Sequence, residues 1–188
     1  MDRLGNRLVS GTSEVLARIP NGAFVLTAAH EECRSGSLVR WVQQCADEPA
    51  MVVVAMRKGQ PIEPLIRDSR AFCLNQLDSE EIFLRKKFEA AHPHGEDPFI
   101  SLAVTTAPSG SPVLLRAAHY IDCELMRHLD IESDFEVYIG LVKEARPLRE
   151  TGDAVRRVEY ATRRGSAAGH APRNVHGNGG HAALKRPA

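Results

Sequence analysis

The chain has 188 residues, of which 43% are hydrophobic and 26% are charged, and its formal net charge is zero. This composition is typical of a globular protein with one core, and it argues against a nucleic-acid-binding protein. No run of about 18 apolar residues occurs, and the first 15 residues lack the apolar centre of a signal peptide. We therefore expect a cytoplasmic protein without membrane or nucleic-acid partners.

The first third of the chain predicts one helix and three strands. A short helix is expected over Ser13–Ile19, since Pro20 stops it, and GAFVLTAA (Gly22–Ala29) predicts a strand. The segment HEECRSGS then reads as a polar loop, followed by a strand from Leu38 to about Cys45. The run Met51–Met56 is apolar at every position, which predicts a strand buried on both faces.

The middle of the chain predicts two short helices around one strand. Pro61 stands at the head of the first helix, where a missing N–H costs nothing. AFCLNQL (Ala71–Leu77) predicts the strand, and Asp78 followed by Glu81 predicts a capping box for a helix over Ser79–Phe88.

Alternating and apolar stretches continue in the last part. In HYIDCELMRHL, the pattern places Ile121, Cys123 and Leu125 on one face and Asp122, Glu124 and Met126 on the other. Strands are also expected over Phe135–Ala145 and over residues 154–161. Many short strands with a few small helices predict a mainly β fold, namely a closed or partly closed barrel. We expect one domain over residues 1–165 and a disordered Gly-, His- and Arg-rich tail over 166–188.

Strong chemical motifs are absent from the sequence. It contains no C-x-x-C, Walker loop, G-x-G-x-x-G, G-x-S-x-G or H-E-x-x-H pattern. The four cysteines, Cys33, Cys45, Cys73 and Cys123, are widely spaced, so neither a disulfide framework nor a zinc site is expected. The loop with His92, His94, Glu96 and Asp97 lacks a second ligand pair elsewhere, and we predict no metal site.

One stretch, WVQQCADEPAMVVVAMRKGQP (Trp41–Pro61), combines an aromatic plane, neutral amides and a basic turn. These groups suit a flavin: Gln43 and Gln44 match its pyrimidine edge, and Trp41 can cover an aromatic face. Arg57 or Lys58 can meet its phosphate. The alternative is that Trp41 belongs to the core and that Arg57-Lys58 is a solvated turn. The residues alone leave both interpretations open.

The chain resembles the flavin reductase-like family, whose members fold as FMN-binding split β-barrels of Greek-key type. The resemblance runs in order through RIPNGAFVLTA, the block from GSLVRWVQQ to AFCLNQL, GSPVLLRAAHYIDCEL and DFEVYIGLVKEARPL, and covers roughly residues 13 to 165. The central block is similar to the flavin reductase module at the C-terminus of flavodiiron proteins. At this length we expect a free-standing version of that module.

The resemblance implies a cofactor site, which comprises Arg40, Trp41, Val42, Gln43, Gln44, Cys45, Ala46, Arg57, Lys58, Gly59 and Asn75. It implies FMN as cofactor, with FAD as the alternative, NAD(P)H as co-substrate, and a homodimer with the flavin near the subunit interface. Asn75 is expected to support the strand beside the flavin. The Pro61-Ile62 helix start is expected to favour the phosphate.

Two positions depart from the family pattern. Val39-Arg40 replaces a pair of small residues, and Phe135 stands where the family has a histidine near the flavin and the nicotinamide. The resemblance implies an NAD(P)H:flavin oxidoreductase that passes electrons to free flavin or to an acceptor protein, while its catalytic residues stay unassigned. The alternatives are an electron-relay FMN protein with weak NAD(P)H activity, which Phe135 favours, and a split barrel that binds haem or no cofactor.

Overall fold

The computed structural model of the protein describes residues 12–90, 92 and 95–149. Within them the chain forms three short helices, α1 (Thr12–Leu16), α2 (Glu63–Ser69) and α3 (Ile82–Glu89). It also forms nine strands: β1 (Ala23–His30), β2 (Cys33–Val39), β3 (Trp41–Asp47), β4 (Ala50–Arg57), β5 (Ala71–Leu77), β6 (Val104–Thr106), β7 (Pro112–Leu114), β8 (His119–Asp130) and β9 (Phe135–Pro147). No helix in these ranges has the length and apolarity to cross a membrane. The predicted strand at 154–161 and the tail at 166–188 lie outside the described residues.

Seven strands form one antiparallel sheet in the order β2-β1-β5-β8-β9-β4-β3, and β6 pairs with β7 separately. The two edge strands, β2 and β3, are joined by Arg40 alone. Adjacent Cα atoms are about 3.8 Å apart, so the ends of β2 and β3 lie within about 8 Å of each other. The sheet must therefore curl until its edges meet at this corner, where the Gly22 N–H also donates to the Arg40 carbonyl over 3.3 Å. The predicted mainly β barrel is confirmed.

Inward-facing side chains from the sheet strands fill the barrel interior. Ile62, at the start of α2, and Ile66, within it, also belong to this core. On β4, Val52, Val54 and Met56 are buried, while the alternate residues are only half-buried. The prediction that this strand is buried on both faces is therefore wrong. Its second face lies on the outside of the barrel, where apolar side chains remain accessible.

The strand predictions hold for β1, β5 and β9, and β5 has the predicted bounds. The prediction of a polar loop over HEECRSGS is wrong, because only a tight turn at Glu31-Glu32 separates β1 from β2. The strand predicted from Leu38 to Cys45 is in fact two strands that break at Arg40. Sequence patterning also missed β6 and β7, which are three residues each.

One local prediction needs correction. Helix α3 starts at Ile82, later than predicted, and its cap is Glu81, whose carboxylate accepts from the Leu84 N–H over 3.3 Å. The sequence pattern placed Asp122 on the face of β8 opposite to Cys123 and Leu125, and the structure adds that Asp122 is buried. A register shift after Asp122 and two hydrogen bonds from Ser109 explain its position, because the carboxylate satisfies the turn before β7.

Candidate functional site

The corner where β2 passes into β3 contains a cavity of about 270 Å³, here called the corner cavity. Its wall includes Ser37, Arg40, Trp41, Arg57, Gln60 and Glu89, together with Phe135. These residues come from β2, β3, β4, the turn before α2, the end of α3 and the start of β9. Closure of the barrel therefore brings together two cations predicted from the sequence and several residues far from them in the chain.

Trp41 stands at this corner and is 55% exposed, although it is the only tryptophan of the chain. Its indole lies against the Phe135 ring, with 4.7 Å between centroids and 43° between planes. The Arg57 guanidinium carbon lies 5.3 Å from the centroid of the Phe135 ring, which is within cation–π range. The register explains this stack, because Trp41 pairs with Ala55 and Arg57 pairs with Phe135. The interpretation of Trp41 as a core residue is wrong.

A second cavity of about 430 Å³ lies on the outer face of β3 and β4 beside α1, and we call it the outer cavity. Its wall is mostly apolar, with Leu16, Ile19, Val42 and Val53 among its residues, and the amides of Asn21 and Gln43 also line it. Trp41 and Ala55 belong to the walls of both cavities. The indole thus separates an apolar space from a space with guanidinium groups.

Each cation near the corner cavity already contacts an acidic group. Arg40 Nη2 lies 3.2 Å from Glu89 Oε1, and Arg57 Nη1 lies 3.1 Å from Asp134 Oδ2. Lys58 Nζ donates to the Ile131 carbonyl over 2.7 Å and also binds the Asp130 carboxylate. That ammonium lowers the pKa of Asp130.

At the start of α2, where an anion-binding site was predicted, a side chain of the same segment already accepts a backbone N–H. Gly59 forms the turn after β4 with a φ of 81°, a conformation that favours glycine. The next residue, Gln60, donates its N–H to Glu63 Oε1 over 2.6 Å. The Gln60 side chain reaches the corner cavity, where its Oε1 lies 3.3 Å from Ser37 Oγ.

The remaining predicted site residues lie away from the two cavities. Gln44 donates to Asp47 Oδ1 over 2.7 Å, and Cys45 is exposed where the β3–β4 register shifts between Gln44 and Ala46. Asn75 is fully buried: its Nδ2 contacts the Val25 carbonyl and Thr27 Oγ1, each at 3.2 Å. This arrangement gives Asn75 a structural role within the sheet. Flavin contacts by Gln44, Cys45, Ala46 and Asn75 stay predictions.

Sequence reasoning did not identify Ser37, Gln60, Glu89 or α1 as parts of the site. Ser37 was placed in a predicted loop, and Gln60 carries no motif of its own. Glu89 is separated from Arg40 by 49 residues, so only the closed barrel reveals their contact. Phe135 was singled out by resemblance alone, and the structure places it in the corner cavity wall.

Comparisons with known proteins agree with this fold. Diflavin flavoprotein A 1 of Synechocystis sp. is 32% identical over 132 residues, which are 70% of this chain and 23% of that protein. The chain thus matches about a quarter of that relative's length. Two solved structures have TM-scores of 0.65 at 22% identity: nitrilotriacetate monooxygenase component B from Mycobacterium thermoresistibile and an NADH:FAD oxidoreductase from Streptomyces globisporus C-1027. The first alignment covers 75% of both chains, and the second covers 74% of this chain and 86% of the other.

These structural matches confirm the split-barrel fold. The family model described as "Flavin reductase like domain" matches residues 16–165. With this match over most of its length, the chain belongs to the flavin reductase-like family.

Proposed function

We propose that the protein binds FMN and acts as an NAD(P)H:flavin oxidoreductase that passes electrons to free flavin or to an acceptor protein. The observation that carries this proposal is that the two cavities share Trp41 and Ala55 as a common wall. The outer cavity is apolar with neutral amides at its edge, which suits a tricyclic ring with a hydrogen-bonding pyrimidine. The corner cavity presents guanidinium groups, which suit a phosphate.

The chain's own residues would bind and orient the cofactor. Arg40 and Arg57 would hold the phosphate through charge-assisted hydrogen bonds, with Gln60 as a neutral donor. The indole face of Trp41 and the side chain of Val42 would exclude water from the flavin ring. The Gln43 amide would fix the orientation of that ring. The flavin supplies hydride acceptance and electron transfer, while the protein contributes position and electrostatics.

A second candidate function is an electron-relay flavoprotein that turns over NAD(P)H poorly. The contact between Phe135 and Trp41 favours it. An apolar ring occupies a wall position of the corner cavity, and it offers neither a proton nor a hydrogen bond to a nicotinamide.

We also propose that the protein forms a homodimer through the outer face of its sheet. Apolar residues of three neighbouring strands lie side by side there: Ala55 pairs with Val137, and Val53 pairs with Ile139. These side chains are only half-buried, and the more exposed Trp41 borders them. A contiguous accessible apolar face is typical of a surface that packs against another chain.

The absorption spectrum and the emission of Trp41 test the proposal. The purified protein, reconstituted with FMN and desalted, should show the flavin bands at about 375 and 450 nm that the cofactor contributes. FMN should also quench the single tryptophan. Anaerobic mixing with NADH or NADPH then separates the two functions, because rapid bleaching supports the reductase and slow bleaching supports the relay. A protein that neither retains nor is quenched by flavin, or that shows a haem Soret band, contradicts both.

A further inference from the structure

The two guanidinium groups of the corner cavity are each paired with a carboxylate from a different element. Arg40 contacts Glu89 at the end of α3, and Arg57 contacts Asp134 just before β9. All four side chains are at least half exposed, with exposures from 54% to 66%. Two positive and two negative charges thus face one another, and this part of the site carries no net charge. A phosphate that approaches it must replace the carboxylates.

Glu89 is placed where a carboxylate does not help its own helix. It is the last residue of α3, and the C-terminal end of a helix carries partial negative charge, which disfavours an acidic side chain. Lys86 and Lys87 in the same turn are the charges that this end of the helix favours. The Glu89 carboxylate instead lines the corner cavity and holds Arg40. The Glu89 carboxylate therefore interacts with the corner cavity and not with its own helix end.

We propose that Glu89 and Asp134 are specificity-determining residues that reduce the preference of the site for phosphorylated over unphosphorylated flavins. This inference rests on the proposed function. Surface ion pairs are weak, so a phosphate can displace both carboxylates at low cost. The displaced carboxylates remain beside the phosphate and repel it, whereas riboflavin, which has no phosphate, meets no such repulsion. The two acids thus keep FMN exchangeable.

The test compares FMN with riboflavin by titrating the emission of Trp41, which every variant retains. Glu89→Gln and Asp134→Asn keep the side-chain size and remove the charge. Each substitution should tighten FMN binding about three- to tenfold at low salt, as expected for one charge removed at partly solvated distance. Riboflavin affinity should stay unchanged, and high salt should shrink the FMN effect. Glu124→Gln is the matched control, because it breaks an exposed pair with Lys143 outside both cavities.

A double substitution checks that the Glu89 carboxylate repels the phosphate directly. In an Arg40→Gln background, Glu89→Gln should still tighten FMN binding, because the repulsion between the carboxylate and the phosphate does not require the Arg40 contact. If the unaltered protein binds FMN and the ratio of riboflavin to FMN dissociation constants is the same in all variants, this inference is wrong. An equal gain for riboflavin would also overturn it, because the effect would then come from shape. If the unaltered protein binds neither flavin, the proposed function itself fails.

Discussion

The ring centroids of Trp41 and Phe135 lie 4.7 Å apart. The Arg57 guanidinium lies over the Phe135 ring. Tilted aromatic pairs of this kind contribute about 0.5–1.5 kcal/mol beyond their buried area. The contact therefore holds a tryptophan that is more than half exposed in one position. A fixed, accessible indole between two cavities is a suitable wall for a planar ligand.

Phe135→His is expected to speed flavin reduction by NAD(P)H. Residue 135 lines the corner cavity next to Trp41, and an imidazole there adds a hydrogen-bonding group that the phenyl ring lacks. The measurement is the rate of flavin bleaching after anaerobic mixing with NADH or NADPH. Phe135→Leu is the control, since it removes the ring without adding a polar atom. Equal rates in the two variants would show that the imidazole has no role at this position.

Arg57→Ala is expected to weaken FMN binding more than Lys58→Ala. The Arg57 side chain lines the corner cavity, and charge-assisted hydrogen bonds to phosphate contribute about 1.5–3 kcal/mol each. Lys58 instead binds the carbonyl of Ile131 and the Asp130 carboxylate, so its ammonium is held by the β8–β9 turn. Quenching of Trp41 by FMN gives both affinities.

Arg67→Ala serves as the control for these two variants, because Arg67 pairs with Asp68 on the exposed side of α2. Its FMN affinity should match that of the unaltered protein. A Lys58→Ala protein that loses as much affinity as Arg57→Ala would place the phosphate nearer the β8–β9 turn than we propose.

The fold was predictable where a strand carries a clear apolar pattern. Strand β2 shows why the prediction failed elsewhere. This strand contains Ser35, Gly36 and Ser37, which have the composition of a loop, yet all three lie within the sheet. A Cβ on Gly36 would lie 2.8 Å from Cε1 of Phe88 on α3. Small residues are needed there because the helix packs closely on the strand. A tertiary contact, invisible in local sequence, thus decided the composition of β2.

The candidate site was predictable only in its contiguous part. Trp41, Val42 and Gln43 follow one another on β3, and Arg57 ends the strand that pairs with it. Glu89 and Gln60 reach the same corner only because the sheet closes on itself at Arg40. No local sequence pattern predicts that closure. The resemblance, by contrast, drew attention to position 135, which lies in the wall of the corner cavity.

Asn75→Ala is expected to lower stability without changing the chemistry of the site. The Asn75 Oδ1 accepts from the Leu114 N–H over 2.8 Å, and its Nδ2 contacts the Val25 carbonyl, so it ties β7 to β1. Truncation leaves these buried groups unpaired, at a cost of about 1–3 kcal/mol for each. Urea unfolding measures the loss, and Gln76→Ala, the half-buried next residue, should cost much less. A flavin affinity that falls while stability is unchanged would instead indicate direct cofactor contact.

Asp97→Asn is expected to remove part of the acid sensitivity of the fold. The Arg34 guanidinium, with Nη2 2.7 Å from Asp97 Oδ2, holds the pKa of that carboxyl below its ordinary value of 3.8. As pH falls towards 3.8 and below, the unfolded chain binds this proton first, so the ion pair's contribution to stability is present above that range and is lost on acidification. The pair is partly exposed, so the contribution is at most about 1 kcal/mol.

The substitution isolates the charge, because the amide oxygen of the introduced asparagine can still accept the Phe99 N–H that Asp97 accepts over 2.9 Å. In urea unfolding at about pH 7 the variant should be the less stable protein, and the difference between the two proteins should narrow as the pH falls to about 3. Asp68→Asn removes a carboxylate from the exposed pair with Arg67 and should change neither value appreciably. A difference between Asp97→Asn and the unaltered protein that is the same at both pH values would mean that Asp97 stabilises the loop by its shape and hydrogen bonds, and not by its charge.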